Sequence, residues 1–352
     1  MDTNKLKEFQ DRQIWNAKRH NRLSLAGMTI RNANGDVDMS SLGYQITIDT
    51  LTFIKQQTVE QKFYEVAPAD FVPIAVGEGA FDQNILTILV LSSAGGFEEG
   101  FVNQGQANDR LATANAAISP VIVPIKNWAK GVGYSIIEVE QALKSSNWDY
   151  IASLHDARKK NWDLGIQEIA FLGSRTDANV LGLLTQGDVN VNTAIITESI
   201  STMDATEFAT FVGTILKAYQ TNCNKTALPN MFAIPLSDYV GLATPVSPTY
   251  PMVSKLEYLK KAFAEIVKGG VTIEGVAYAE ADENASRGID KQRYTLYRKD
   301  PQSIRMDIPV DYTTTQPNTY NNFNFQDAAY GQLTGAKAYR PLEMLYFDYT
   351  PA

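Results

Sequence analysis

Residues 83–134 consist of two apolar runs joined by a long stretch rich in Gly, Asn and Ala. The runs are Asn84–Leu91 (NILTILVL) and Ile118–Ile125 (ISPVIVPI), and the second continues towards Tyr134. The joining stretch is residues 92–117. Short apolar runs bounded by turn-forming residues are typical of strands. The pattern therefore predicts a long β-hairpin with a broad tip.

This hairpin needs a surface to lie on, because a two-stranded hairpin is at best marginally stable in water. Pro120 and Pro124 lack the N–H group that a strand ladder uses, so the second strand suits the edge of a sheet. We expect the hairpin to pack either on the body of its own chain or on another copy of the chain.

Residues 149–172 carry the most regular helical pattern in the sequence. Side chains at helical spacing form one stripe, which consists of Ile151, Leu154, Arg158, Trp162, Ile166, Ile169 and Leu172. Asp149 is a suitable N-cap and Gly173 a suitable C-terminal glycine. At ~1.5 Å per residue the predicted helix is about 36 Å long.

The rest of the sequence mixes helical and strand patterns, which indicates an α+β fold. Further helices are predicted at Ser135–Ser145, Thr206–Thr221 and Ser254–Lys268. Strands are predicted at Met231–Ile234, Val271–Ala279, Arg293–Arg298, Ile304–Tyr312 and Tyr339–Tyr349. In Ile304–Tyr312 apolar and polar residues alternate as in a half-buried strand, with Asp307 on the polar side. Residues 280–292 are predicted to be a solvated loop.

Composition argues against several classes of function. The one cysteine, Cys223, allows neither an intramolecular disulfide nor a cysteine zinc site. Histidine is the commonest acid–base group and metal ligand, and the 352 residues contain two, His20 and His155. No nucleotide-binding, zinc-protease or serine-hydrolase motif is present. Glu98 and Glu99 are adjacent carboxylates, but neighbours on a strand point to opposite faces. We expect no enzymatic activity, cofactor or metal.

The sequence shows no targeting or membrane segment. Met1–Gln10 lacks the apolar core of a signal peptide. The longest apolar stretch, near Ile85–Leu91, is far shorter than the ~20 residues of a membrane helix. We therefore expect a cytoplasmic protein, or an assembly built in the cytoplasm, that has no membrane partner.

Residues 1–45 are polar and carry local positive charge, although the net charge of the chain is −8. In residues 1–25 six bases minus three acids give +3; the bases are Lys5, Lys7, Arg12, Lys18, Arg19 and Arg22, and the acids are Asp2, Glu8 and Asp11. Such a segment cannot bury enough apolar surface to order itself. Two interpretations stay open, a solvated terminus or an arm whose bases contact phosphates without sequence specificity.

Two stretches of the sequence carry a family likeness. The first is SIIEVEQALKSSNWDYIASLHDARKKNWDLGIQEIAFLGS, in which the long helix runs towards a "GLL" turn in VLGLLTQGDV. The second begins at YRKDPQSIRMDIPVDY and closes with a "YRP" strand, YRPLEMLYFDY. With the order of arm, hairpin, helix, mixed α/β region and closing strands, the chain resembles the major capsid proteins of tailed bacteriophages.

The resemblance implies an α+β, Hong Kong 97-like capsid fold. Its expected parts are an N-terminal arm (1–45), the first part of a peripheral domain (46–82), an extended β-hairpin loop (83–134), the peripheral spine helix (135–178), an axial domain (179–292) and closing peripheral strands (293–352). The extended loop would overlie a neighbouring subunit. The residues expected to make that contact are Phe97, Glu98, Glu99, Phe101 and Arg110.

The resemblance also implies a function. The chain would be a structural subunit that forms pentamers and hexamers and self-assembles into the icosahedral phage head around double-stranded DNA. Expected partners are other copies, cement, scaffold and portal proteins, and DNA held by non-specific contact; the expected location is the virion, after assembly in the host cytoplasm. An encapsulin-type nanocompartment shell, which encloses cargo protein, is the alternative with the same fold. An enzyme and a tail or adhesin component are further hypotheses.

Overall fold

The structure, a computed structural model, describes residues 62–93, 115–146, 150–247, 250–319 and 321–351. Within these ranges the chain forms two compact units. The larger unit takes residues from Tyr64–Val132, Asp156–Asn318 and Asp327–Ala352. The smaller unit takes residues from Gly133–His155 and Thr319–Gln326, together with Lys62 and Phe63.

Sixteen strands and six α-helices form in the described residues. The strands are β1 (Ile74–Val76), β2 (Asn84–Ser93), β3 (Asn115–Pro124), β4 (Lys126–Ser135), β5 (Asn190–Asn192), β6 (Met231–Pro235), β7 (Pro245–Ser247), β8 (Tyr250–Ser254), β9 (Thr272–Val276), β10 (Gln292–Tyr297), β11 (Ile304–Ile308), β12 (Val310–Thr314), β13 (Asn318–Thr319), β14 (Asn324–Leu333), β15 (Lys337–Ala338) and β16 (Met344–Tyr349). The helices are α1 (Ile136–Ser146), α2 (Tyr150–Leu172), α3 (Ala205–Asn222), α4 (Leu236–Gly241), α5 (Lys255–Ile266) and α6 (Ala281–Asn284). The predicted mixture of helix and strand is therefore confirmed.

A five-stranded mixed sheet organises the core of the larger unit, in the order β5-β16-β10-β6-β9. Strand β10 is antiparallel to β16 and β6, whereas β5 and β9 each pair in parallel at one edge. Successive residues on a strand point to opposite faces. In β6, Phe232 and Ile234 belong to one core cluster and Met231 and Ala233 to the other. Both faces of this sheet are therefore buried.

Helices cover the two faces of the sheet. Helix α3 contributes Phe208 and Ile215, and helix α5 contributes Phe263, to the cluster on one face. The long helix α2 contributes Trp162 and Phe171 to the cluster on the other face. Amphipathic helices bury their apolar stripe in this way against a sheet. The larger unit thus holds its sheet between helices.

Local sequence signals set the ends of the helices. The Asp204 carboxylate accepts a hydrogen bond from the first backbone N–H of α3, and the Ser254 hydroxyl accepts one from the N–H of Glu257 in α5. Gly173 follows α2 in the left-handed conformation, at φ 74°. The predicted long helix is confirmed as α2, and its proposed cap, Asp149, lies outside the described residues.

The smaller unit contains the start of helix α1. The Ser135 hydroxyl accepts a hydrogen bond from the Glu138 N–H at 3.3 Å, and the Glu138 carboxylate accepts one from the Ser135 N–H at 2.8 Å. This reciprocal pair is a capping box. The Tyr134 ring stacks on Phe325 with ring centroids 5.8 Å apart. These contacts fix the point at which strand β4 becomes helix α1.

The turn after α2 packs backbone against backbone. The N–H groups of Leu183 and Leu184 donate to the carbonyls of Ala170 and Phe171, at 2.8 and 2.9 Å. A Cβ added at Gly182 would lie 2.4 Å from the carbonyl carbon and oxygen of Phe171, closer than any side chain tolerates. Glycine is therefore required where the "GLL" turn meets the end of the helix.

Replacing Gly182 by alanine is expected to destabilise the subunit by about 1–3 kcal/mol, because the new methyl group overlaps backbone that cannot move aside. Gly213 is the matched control, since a Cβ there meets nothing within 4 Å on helix α3. Gly213→Ala should stabilise the subunit by up to about 1 kcal/mol. Urea unfolding of the unassembled subunit, followed by circular dichroism, measures both. Equal midpoints for the two variants would contradict this account of the turn.

One arginine in the apolar stripe of α2 is buried as an ion pair. Arg158 donates to the Asp327 carboxylate at 2.8 Å and to the Tyr312 hydroxyl at 2.9 Å. Asp327 lies on β14 and Tyr312 on β12, so the pair ties the helix to both strands. A buried guanidinium needs such a partner, because removing an unpaired charge from water is costly.

The predicted strand Ile304–Tyr312 is two strands, β11 and β12, because Pro309 interrupts the ladder. Asp307, predicted on the polar side, is 1% exposed. Its backbone N–H donates to the hydroxyl of Thr334 at 2.9 Å, and burial raises the pKa of its carboxyl group. Both sides of β11 are therefore covered, which simple alternation did not predict.

The prediction of a solvated loop at 280–292 is also wrong. Helix α6 lies within it, and the Asn284 side chain at the end of that helix is fully buried. The Asn284 amide donates to the carbonyls of Ala279 and Lys291, at 3.3 and 2.7 Å. This one side chain holds the two ends of the segment together, so the polar sequence folds back on itself.

Candidate assembly interface

Strands β2 and β3 form a two-stranded sheet of their own. They pair antiparallel without a break, from Asn84 opposite Pro124 to Ser93 opposite Asn115. The two strands of the predicted hairpin are thus confirmed as far as Pro124, and the hairpin tip, residues 94–114, lies outside the described residues. The predicted continuation of the second strand towards Tyr134 is wrong, because Lys126–Ser135 forms β4, which pairs with β14. At the base of the hairpin the Ile125 N–H donates to the Gln83 carbonyl at 3.0 Å.

One face of this hairpin consists of exposed aliphatic side chains. Leu86 lies opposite Ile122, and Ile88 lies opposite Pro120. The aliphatic side chains on this face are between 57% and 69% exposed; they are Leu86, Ile88, Ile118 and Ile122, called here the hairpin apolar face. Aliphatic side chains grouped in this way on a surface mark an interaction site.

The opposite face of the hairpin is turned towards the rest of the larger unit. Val123 is 4% exposed, and Ile85, its partner across the ladder, is half-buried. The Thr87 hydroxyl donates to the Tyr339 hydroxyl at 3.4 Å. One face of the hairpin therefore rests on its own chain, and the other face is exposed.

The sequence pattern does not identify the exposed face. The run NILTILVL is apolar at both parities, and its single polar residue between Ile85 and Leu91 is Thr87. Period-two alternation would place Thr87 in solvent and Leu86 inside. The structure has the reverse arrangement, with Thr87 half-buried and Leu86 exposed. Thr87 was the signal that the sequence offered. When a polar residue lies on the inner face of a strand, its apolar neighbours lie on the outer face.

A second exposed apolar patch belongs to the smaller unit. Ile136 and Ile137, at the start of α1, are 42% and 51% exposed, and Phe323 is 43% exposed. The Ile136 N–H donates to the Phe323 carbonyl at 3.2 Å, so the two segments are adjacent. The smaller unit therefore also presents apolar surface that its own residues leave uncovered.

The residues proposed from the sequence as contact sites all lie outside the described residues. These are the six arm bases (Lys5, Lys7, Arg12, Lys18, Arg19 and Arg22) and the five loop residues (Phe97, Glu98, Glu99, Phe101 and Arg110). Their roles stay predictions. The described residues that carry the candidate interface are different ones, on the strands below the loop tip.

The buried polar groups of the larger unit serve the fold. The Asp238 carboxylate accepts hydrogen bonds from the hydroxyls of Ser199, Tyr294 and Tyr349. Burial, with Asp238 adding to it, raises the pKa of both phenols, so they act as hydrogen-bond donors. This cluster joins helix α4 to strands β10 and β16 rather than offering a free catalytic base.

The buried Lys255 also has a structural role. Its ammonium group donates to the carbonyls of Ser201 and Met203, at 2.6 and 2.9 Å. It also lies 5.4 Å from the ring centroid of Phe208. Burial lowers the pKa of this amine. Because carbonyl oxygens take two of its hydrogens, Lys255 fixes the chain that enters helix α3.

In the part of the chain that the structure describes, no three or more His, Cys, Asp and Glu side chains are placed to hold a metal ion. None of the helices within those ranges combines the length and the apolar character that crossing a bilayer requires. What the described surface does present is apolar side chains suited to contact with protein.

Comparison with solved structures shows the same fold in proteins from two phages and from a GTA particle. The capsid of Myoviridae phage XM1 matches with a TM-score of 0.71 and 16% identity, covering 88% of this chain and 100% of that chain. A structure from Mycobacterium phage Ogopogo matches with a TM-score of 0.55 and 12% identity, covering 85% and 96%. The capsid of a native GTA particle matches with a TM-score of 0.51 and 10% identity, covering 86% and 97%.

The family comparison covers more than half of the sequence. A model of the family described as "Major capsid protein" matches residues 101–350. None of the curated proteins compared with the chain matches it. The matched family is structural, and the matched solved structures include phage capsids with the Hong Kong 97-like fold. The chain therefore belongs to the major capsid protein family.

Proposed function

We propose that copies of this chain assemble into a closed icosahedral shell of pentamers and hexamers around a double-stranded DNA genome. The observation that carries the proposal is the hairpin apolar face. It lies on a two-stranded sheet whose strands pair only with each other within the described residues, and its aliphatic side chains are more than half exposed. The occupant of this face is a second copy of the chain.

A second copy is the occupant that suits this geometry best. A two-stranded ribbon is marginal in water, so a neighbour that covers its outer face stabilises the hairpin and joins the subunits at once. Closed symmetric assemblies reuse the same patches on every copy. The interface therefore forms many times in one shell, and a modest contribution from each copy is sufficient.

The remaining parts of the proposal rest on the family and the sequence. The domain assignments are an arm at 1–45, an extended loop at 83–134, an axial domain at 179–292 and peripheral segments at 46–82, 135–178 and 293–352. The arm bases contact packaged DNA through phosphate attraction, which is non-specific. Cement, scaffold and portal proteins are further partners, assembly takes place in the host cytoplasm, and the chain has no enzymatic activity.

Expression of the full chain, followed by electron microscopy and analysis of the particle contents, tests the proposal. We expect polyhedral shells, and in native particles we expect double-stranded DNA that nuclease cannot reach until the shell is opened. Shells that contain cargo protein without DNA would favour the encapsulin-type alternative. Tubes or fibres would contradict a closed head and favour a tail component.

A further inference from the structure

Phe81 occupies a backbone conformation that a phenylalanine rarely adopts. It lies in the turn between β1 and β2, where alternate residues are left-handed: Gly77 at φ 92°, Gly79 at φ 77° and Phe81 at φ 67°. Glycine takes this conformation without steric cost, but a residue with a Cβ does not. Something must hold Phe81 in place, because the turn could otherwise relax.

Two strands of the larger unit hold this turn. The Phe81 N–H donates to the Gln332 side-chain oxygen at 2.7 Å. Gln332 is buried on β14, and its own amide group donates to Asn127 on β4 at 2.7 Å. The buried Gln332 side chain therefore holds the backbone of Phe81, and its bond to Asn127 holds Gln332 in turn.

The Phe81 ring lies largely in water. Phe81 is 72% exposed, more than any other large apolar side chain whose burial the structure describes. Strained conformations persist where the surrounding structure enforces them, and they cluster at functional positions. Within the subunit, the strain opposes stability, and the exposed ring contributes little to it. Burial of the ring in another molecule would offset the strain.

We propose that Phe81 is an anchor residue that inserts into a neighbouring copy of this chain. The proposal rests on the proposed shell. Phe81 precedes β2 by three residues, so its ring is close in sequence to the hairpin apolar face, which a neighbour covers in the proposed shell. Buried aromatic anchors contribute a large share of interface affinity. The rigid turn presents the ring in one orientation, so little freedom is lost on binding.

Three substitutions at this position separate an anchor from a structural residue. Phe81→Asn removes the ring but keeps a residue that accepts the left-handed conformation. Phe81→Gly removes the ring and the strain together. For both we expect a subunit melting temperature equal to or above that of the unmodified chain. The concentration at which half of the subunits assemble should rise about tenfold or more.

Phe81→Tyr is the matched control, because it keeps the ring and its strain and should assemble nearly as the unmodified chain does. Light scattering against subunit concentration, with electron microscopy, measures assembly, and thermal unfolding measures the subunit. If Phe81→Asn and Phe81→Gly assemble at the concentration of the unmodified chain, or melt lower without an assembly defect, the anchor is refuted. Failure of the unmodified chain to form shells would instead refute the proposed function, and the anchor with it.

Discussion

Replacing Leu86, Ile88 and Ile122 together by threonine is expected to abolish shell assembly and leave the subunit folded. Each side chain is more than half exposed in the subunit, so polar replacements cost its core nothing. Threonine also keeps the preference for strand conformation. In the assembly each of these aliphatic groups would contribute roughly 1–2 kcal/mol when buried. Because every copy loses all three contributions, the effect multiplies around the shell.

The matched control for this variant is Thr87→Val, on the same strand but the opposite face. Thr87 is half-buried against the subunit's own body, so a valine of similar shape there should leave assembly unchanged. Sedimentation and electron microscopy at matched concentrations measure the outcome. Normal shells from the threonine variant, or loss of shells from Thr87→Val, would show that the wrong face has been assigned.

Replacing Arg293 by methionine is expected to destabilise the subunit by about 3–5 kcal/mol. Arg293 on β10 makes two hydrogen bonds to Asp348 on β16, at 2.8 and 2.6 Å, and a third to the Leu184 carbonyl. Its guanidinium carbon also lies 4.4 Å from the ring centroid of Tyr346. The methionine variant leaves the Asp348 carboxylate buried without its charge partner, and that uncompensated charge is the source of the loss.

Two further variants isolate the charge. Arg293→Met combined with Asp348→Leu should recover most of the lost stability, because no buried charge remains. Arg175→Met is the matched control on the surface, where the pair with Glu168 has an arginine that is 68% exposed. It should change stability by less than about 1 kcal/mol. The midpoints of urea unfolding of the three variants measure these differences. A double variant as unstable as Arg293→Met would contradict the charge explanation.

The sequence predicted the parts of the fold that follow from local chemistry. Helix α2 was evident because its apolar stripe is long, and helices α3 and α5 were predicted within two residues of their observed ends. The two apolar runs of the hairpin were evident for the same reason. Each of these signals is contained in one segment of chain, so no knowledge of distant contacts is needed.

The features that depend on distant residues could not be predicted. Arg158 appears in the apolar stripe of α2 because Asp327, 169 residues away, neutralises it. Asp307 looked solvent-facing because alternation says nothing about a second layer covering the strand. Which face of the hairpin is exposed, and the strained turn at Phe81, likewise depend on how the hairpin packs against the rest of the larger unit.

The resemblance to the family rested on element order and on the "GLL" and "YRP" stretches. The fold explains why the "GLL" turn needs its glycine. Gly182 is fixed by the close approach of its turn to Phe171 in helix α2, a requirement of packing and not of chemistry. The capsid role, in contrast, depends on surfaces. The residues named for it from the sequence lie outside the described residues, whereas the exposed side chains on β2 and β3 became apparent in the structure.

A side-chain-resolution reconstruction of the assembled particle tests most directly whether the subunit's uncovered surface is where copies meet. The account predicts that Leu86, Ile88, Ile118 and Ile122 each contact a neighbouring subunit at van der Waals distance, about 4 Å, and that water is excluded between them. A shell in which these four side chains still face solvent, with copies joined elsewhere, would contradict it.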